Sequence, residues 1–157
     1  MPDDPAGSLG LRISFFPDRV ALTHAVAALA DESCARVSLS LPLRANLNAV
    51  ENIALIQLYR KQADMQGAGD RALELLQRLG ASALGLKRES DMTTSERFIV
   101  LLARALVLQR SRLVIDQPGA LLYDEPYPAL LRTLHQKAGT ETAWEVYDYT
   151  WNRVLYE

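Results

Sequence analysis

The stretch from Thr93 to Asp116 constrains this chain more than any other. Thr93 and Glu96 have the spacing of a capping box, in which each end of the first helical turn satisfies the other's free N–H group. The residues from Arg97 to about Leu108 are apolar over so broad a face that their helix must be deeply buried. After the polar Arg110-Ser-Arg112 comes Leu113-Val-Ile115, ending on Asp116, which reads as a central strand. A buried helix feeding a central strand needs further elements on both sides, so neighbouring segments must supply a sheet and its covering helices.

They do so along the chain. Leu11-Arg-Ile-Ser-Phe-Phe16 is rich in β-formers and stops at Pro17, and Asp18 is placed to cap a helix carrying Leu22, Val26 and Leu29. Ala35 to Leu41 alternates like a strand. Asn48 with Glu51 starts a helix through Val50, Ile53, Ala54 and Leu58. Gln66 to Asp70 reads as a polar break before a helix over Arg71 to Leu79 that Gly80 closes. Pro126 to Ala138 is expected to be a helix capped by Asp124 and closed by Gly139, and Thr142 to Tyr147 and Arg153 to Tyr156 two further strands. The expected fold is α/β, a mostly parallel sheet with packed helices. It comprises a leader over 1–10 and one domain over 11–157, with a helical subdomain at about 47–110.

Composition excludes several functions. With 157 residues and 49% hydrophobic content, the chain can bury one core. A net charge of −2 and only three lysines, Lys61, Lys87 and Lys137, give no cationic surface for nucleic acid. Cys34 is the sole cysteine, which rules out an internal disulfide and fits a reducing compartment. No apolar run is long enough to span a bilayer, and the acidic start is unlike a signal peptide. A soluble cytoplasmic chain is expected. His24 and His135 lie on expected helices without a second ligand at metal spacing, and each is read as a surface or packing residue. Trp144, Tyr147, Tyr149 and Trp151 are expected in the core; exposed, they would mark a partner surface.

The order of these segments resembles the second half of an ATP-binding-cassette ATPase, over about three quarters of the chain. Leu43-Arg-Ala-Asn-Leu-Asn-Ala-Val-Glu-Asn-Ile-Ala-Leu is similar to the family's "tVlENval" segment, and Arg71 to Gly80 to its "rA.elLervGl" helix. Ala103-Arg-Ala-Leu106, followed after Val107 to Ser111 by Arg112-Leu-Val-Ile-Asp-Gln-Pro118, is similar to its "ARAL" helix and Walker B strand. The resemblance implies a truncated P-loop NTPase-like fold and places Asp116 where the family's magnesium-organising aspartate sits. From the residues alone, Asp116 reads first as a turn residue before Pro118-Gly119 and only second as a metal ligand.

At the other functional positions the resemblance implies loss. Gln117 stands for the catalytic glutamate and cannot accept a proton. Met92-Thr93-Thr94-Ser95-Glu96 stands for the LSGGQ signature, with both glycines replaced and a carboxylate, Glu96, added. Tyr147 stands for the switch histidine and does not titrate near neutrality. Pro17-Asp18-Arg19 occupies the place of the phosphate-cradling Walker A loop; none of the three lysines follows a glycine, and no glutamine lies between Val37 and Asn46 for the family's glutamine loop. Leu121-Leu-Tyr-Asp124-Glu125-Pro126 mimics Walker B better in letters, but a helix and a return strand fit the longer gap from Gln117 to Tyr147 more comfortably than the gap from Glu125.

The expected function is that of a pseudo-ATPase. It would act as an accessory or regulatory subunit of a transport system through contacts with the system's ATPase or membrane subunit. It would lie in the cytoplasm, at the inner membrane where that subunit requires it, with oligomers allowed. No cofactor is expected, ATP and magnesium entering only if a partner completes the site, with Asp116 the single candidate metal ligand. The alternatives are a component of such a composite ATP site and a stand-alone structural or binding domain.

Overall fold

The computed structural model describes residues 10–30, 32–61, 63–139 and 142–157. Apart from Gly10, the expected leader lies outside them. Two compact units are formed, one from Met1–Leu39 with Arg110–Glu157 and one from Ser40–Gln109.

The first unit is built on a parallel sheet of four strands: β1 (Leu11–Phe16), β2 (Cys34–Val37), β3 (Arg112–Asp116) and β4 (Ala143–Tyr149), in the order β1-β4-β3-β2. The α/β reading and the central place of Leu113 to Ile115 therefore hold. In β3, Leu113, Val114 and Ile115 are inaccessible to water, each worth roughly 1.5–3 kcal/mol of burial relative to exposure. In register, Asp116 stands opposite Tyr147, and Phe16 opposite Tyr149.

Helix α1 (Arg19–Ala27) starts where Asp18 Oδ1 accepts the Ala21 N–H at 2.8 Å, as its capping position predicts. Its Leu22 is fully buried in a cluster with Cys34, Val114 and Tyr147. Short helix α5 (Pro118–Leu121) follows β3, and α6 (Tyr127–Ala138) ends at Gly139, whose φ of 54° is the left-handed cap that glycine adopts without strain. Several expectations need correction. Strand β2 ends at Val37, where the chain turns away, so the alternation through Leu41 is not paired. Asp124 does not cap α6; Pro126 holds that position, without a side-chain hydrogen bond. Arg153 to Tyr156 is not a strand. Thr150–Tyr156 forms a 3₁₀ segment because its side chains bond back to β4 rather than extending along a neighbour.

That segment is tied down through Asp148, a carboxylate only 1% exposed. Asp148 Oδ2 accepts the Tyr127 hydroxyl at 2.8 Å and the Tyr156 hydroxyl at 2.6 Å. Its Oδ1 accepts Asn152 Nδ2 at 2.8 Å and the Tyr149 N–H at 2.7 Å. A buried charge persists only when so compensated. Both phenols are pushed well above their ordinary pKa, by burial first and then by the Asp148 charge.

The second unit is helical: α2 (Ala49–Tyr59), α3 (Met65–Arg78) and α4 (Thr94–Leu106) pack on one another. Asn48 caps α2 by accepting the Glu51 N–H at 2.8 Å. Helix α3 starts earlier than expected, because Asp64 caps it through the Gly67 N–H and the Gln66 to Asp70 stretch is already helical. Asn52, buried on α2, accepts the Arg44 N–H and donates to the carbonyls of Arg44, Leu47 and Asn48, pinning the incoming loop. Arg104 of α4 donates to the carbonyls of Pro42 and Leu41.

Asp148→Asn puts amide N–H groups against donors and removes the charge that four hydrogen bonds serve. Chemical denaturation is expected to show a loss of about 1–3 kcal/mol.

Candidate functional site

Register and strand ends position the sequence-predicted residues in the first unit. Because β3 and β4 pair in parallel, Asp116, Gln117, Tyr147 and Tyr149 gather at the carboxyl ends of neighbouring strands, where open α/β sheets place their ligands. Asp116 is buried. Its Oδ2 accepts the Ser38 hydroxyl at 3.0 Å, and its Oδ1 accepts Gln117 Nε2 at 3.2 Å. Among the described residues, no group of three or more His, Cys, Asp or Glu could hold a metal ion.

Gln117, like Lys61 and Gln109, takes a positive φ. Its φ of 51° puts a non-glycine residue in the left-handed region, a conformation that surrounding structure must enforce. Its backbone N–H donates to the Tyr147 carbonyl at 2.9 Å, and its Oε1 accepts the Tyr149 hydroxyl at 2.9 Å. A line of hydrogen bonds therefore runs Ser38–Asp116–Gln117–Tyr149, from the chain just after β2 to the end of β4. The sequence reading did not single out Ser38, and it placed Tyr149 in the aromatic cluster and not at this site. For Tyr149, the available signal was its period-two relation to Tyr147 along β4.

Tyr147 points into the cluster with Leu22, Cys34 and Val114 and packs against Phe16, ring centroids 5.0 Å apart. Burial, followed by the Glu145 charge, raises its pKa above the ordinary phenol value. On the same face, Glu145 bridges the sheet: its carboxylate accepts Ser14 Oγ and Arg112 Nη2, each at 2.8 Å. Burial also raises the Cys34 thiol. The turn Pro17-Asp18-Arg19 at the end of β1 is used as a helix cap, with the Asp18 carboxylate on the Ala21 amide.

The signature-like loop Met92, Thr93, Thr94, Ser95 and Glu96 lies in the helical unit. The capping box forms in full: Thr93 Oγ1 accepts the Glu96 N–H at 3.2 Å, and Glu96 Oε1 accepts the Thr93 N–H at 3.1 Å. Lys87 Nζ donates to Glu96 Oε2 at 3.0 Å. The amide that an anion would seek at this helix start is thus held by the chain's own carboxylate. The Thr93 N–H, and then Lys87, lower the Glu96 pKa below its ordinary value.

The expected aromatic cluster is split between environments. Trp144 is 1% exposed and meets His135 edge-on at 4.9 Å, and burial lowers the pKa of that histidine. Tyr149 is half-buried, and Trp151 stacks on it at 4.3 Å yet is 61% exposed. The core expectation therefore fails for Trp151, because the 3₁₀ segment leaves the sheet before reaching it. His24 is exposed on α1.

No family model matches the chain. It is 38% identical over 76 residues to the lipoprotein-releasing system ATP-binding protein LolD of Chromohalobacter salexigens, covering 48% of this chain and 32% of that one. It is 34% identical over 85 residues to the glutamate/aspartate import ATP-binding protein GltL of Escherichia coli K12, covering 54% of this chain and 32% of the other. The chain thus spans about a third of the length of the curated relatives it matches. Among solved structures, CbiO1 from Clostridium perfringens, part of the ABC transporter complex CbiONQ, superposes with a TM-score of 0.72 at 15% identity over 90% of this chain and 67% of that one. The cassette MJ0796 in a post-hydrolysis state bound to ADP and Pi gives 0.65 at 16% identity, over 91% and 76%. The chain shares sequence with ATP-binding transport proteins over half its length, and its fold is that of ATP-binding cassettes. Among the described residues, no helix is long and apolar enough to cross a membrane.

A carboxylate whose folded pKa is depressed stabilises the fold above its unfolded pKa, and that stability is lost as pH falls through the folded pKa. Glu96→Gln is therefore expected to flatten the acid limb of the stability–pH curve below the ordinary glutamate range, 4.5, while leaving its neutral shape unchanged. Denaturation midpoints measured across that range check this.

Proposed function

We propose that this chain serves an ATP-binding-cassette transport system through protein contacts, without hydrolysing nucleotide itself. Its partner would be the ATPase or membrane subunit of that system, and its place the cytoplasmic side of the membrane where that subunit lies. The observation that carries the reading is the state of Gln117. At the position where the resemblance expects a general base there is a neutral amide, with its oxygen held by the Tyr149 hydroxyl and its nitrogen by Asp116. An amide in this arrangement can neither take a proton from water nor turn freely toward one.

The surroundings support the same conclusion. Both oxygens of Asp116 already accept hydrogen bonds from the chain's own side chains, and among the described residues no group of three or more His, Cys, Asp or Glu could hold a metal ion. Tyr147, at the switch position, is turned into an apolar cluster. Asp18 places a negative charge where the resemblance expects phosphate, and Glu96 places another at the signature-like loop. The Asp18 carboxylate opposes a triphosphate electrostatically, and the Glu96 carboxylate occupies the Thr93 N–H that an anion would need. Sequence kinship with LolD and GltL supports the transport setting.

Titration calorimetry of the protein with Mg-ATP is expected to give no saturable heat up to millimolar nucleotide. A micromolar dissociation constant would overturn the proposal.

A further inference from the structure

The 3₁₀ segment Thr150–Tyr156 carries three exposed apolar side chains: Trp151 at 61%, Val154 at 67% and Leu155 at 51%. A 3₁₀ helix has three residues per turn, so residues three apart share a face. Arg153 and Tyr156 both lie against Phe15, with the Arg153 guanidinium 4.4 Å from the ring centroid and the Tyr156 ring at 5.5 Å, and Arg153 remains exposed to solvent. Asn152 is tied to Asp148. Trp151 and Val154 form the outward face, with Leu155 beside them. The segment is fixed from below, by Tyr156 on Asp148 and by Arg132 Nη2, which donates to the Tyr156 carbonyl at 2.9 Å. Trp151 is fixed from the side by its stack on Tyr149, whose hydroxyl is held in turn by Gln117.

Two properties set this surface apart from scattered exposed apolar residues. First, its aromatic anchor is rigid before binding, so little side-chain entropy remains to be lost when a partner docks. Second, the adjacent Arg153 is positioned by the Phe15 ring, and no carboxylate pairs with it among the described residues. Tryptophan and arginine are the side chains most enriched where interfaces concentrate their energy. An apolar centre edged by an unpaired, preorganised cation is complementary to an apolar side chain flanked by a carboxylate.

We propose that Trp151, Arg153, Val154 and Leu155 form a docking surface for a protein segment that presents an aromatic or branched aliphatic residue next to Asp or Glu. This rests on the reading that the chain works through protein contacts, and it names the surface and the chemistry of the partner segment. The apolar residue covers Trp151 and Val154, and the carboxylate reaches Arg153.

The probe is a combinatorial dodecapeptide library selected on the whole protein, with the enriched peptides then titrated by fluorescence anisotropy against variants. Enriched sequences are expected to pair an apolar residue with an acidic one. Their affinity should fall about tenfold or more in Trp151→Ala and in Arg153→Glu. It should stay the same in Tyr59→Ala, which removes a still more exposed aromatic from the helical unit. Far-ultraviolet circular dichroism and urea denaturation midpoints report whether the fold survives each change. Enrichment of basic peptides would overturn the proposal, as would peptides that bind the two variants as well as they bind the unaltered protein. Concentration-dependent self-association abolished by Trp151→Ala would also overturn it, since the occupant would then be a second copy. Tight Mg-ATP binding in the separate calorimetric test would sink the pseudo-ATPase reading and leave the peptide result standing.

Discussion

The parallel, in-register pairing of β3 with β4 is the constraint on which the first unit depends. It sets Asp116 against Tyr147, brings the Gln117 N–H onto the Tyr147 carbonyl, and so forces Gln117 into the left-handed region. Once the backbone is held there, the side chain of Gln117 lies between Asp116 and the Tyr149 hydroxyl. A conformation that costs free energy persists because bonds on both sides over-determine it. At the carboxyl end of the sheet, Ser38, Asp116, Gln117 and Tyr149 are bonded to one another.

A second effect follows from β4 leaving the sheet. Its side chains alternate, so Tyr147 and Tyr149 face one side while Asp148 faces the other. Asp148 collects two phenols, an amide and a backbone N–H, and these bonds fold the following residues into a 3₁₀ segment. Trp151 is consequently displayed outward. The same strand therefore supplies Tyr149 to the hydrogen bonds around Gln117 and leads into the segment that displays Trp151.

Much of the fold was legible in the sequence because the signals were local. The capping pairs Asp18–Ala21, Asn48–Glu51 and Thr93–Glu96 mark three helix starts within a few residues each, and the apolar run Leu113 to Ile115 marks the central strand. Local signals also misled. Ala35 to Leu41 alternates like a long strand, but pairing with β3 stops at Val37, and Gly67 and Gly69 look like a break although the Asp64 cap outweighs their cost within α3. Asp116, Gln117 and Tyr147 were named as site residues only through the resemblance to the cassette family, and the bonds that Ser38 makes to Asp116, Tyr149 to Gln117 and Asp148 to Tyr127 depend on partners far along the chain. No periodicity shows that Tyr127 and Tyr156 meet on one carboxylate.

The central claim is that Gln117 is held inward and cannot serve nucleotide chemistry. Heteronuclear NMR reads this directly from the backbone and side-chain amides of Gln117 and the backbone amide of Ser38 during titration with Mg-ATP. The account predicts a slowly exchanging Gln117 amide whose resonances do not move at millimolar nucleotide. Saturable shifts centred on Gln117 and Ser38 would contradict it.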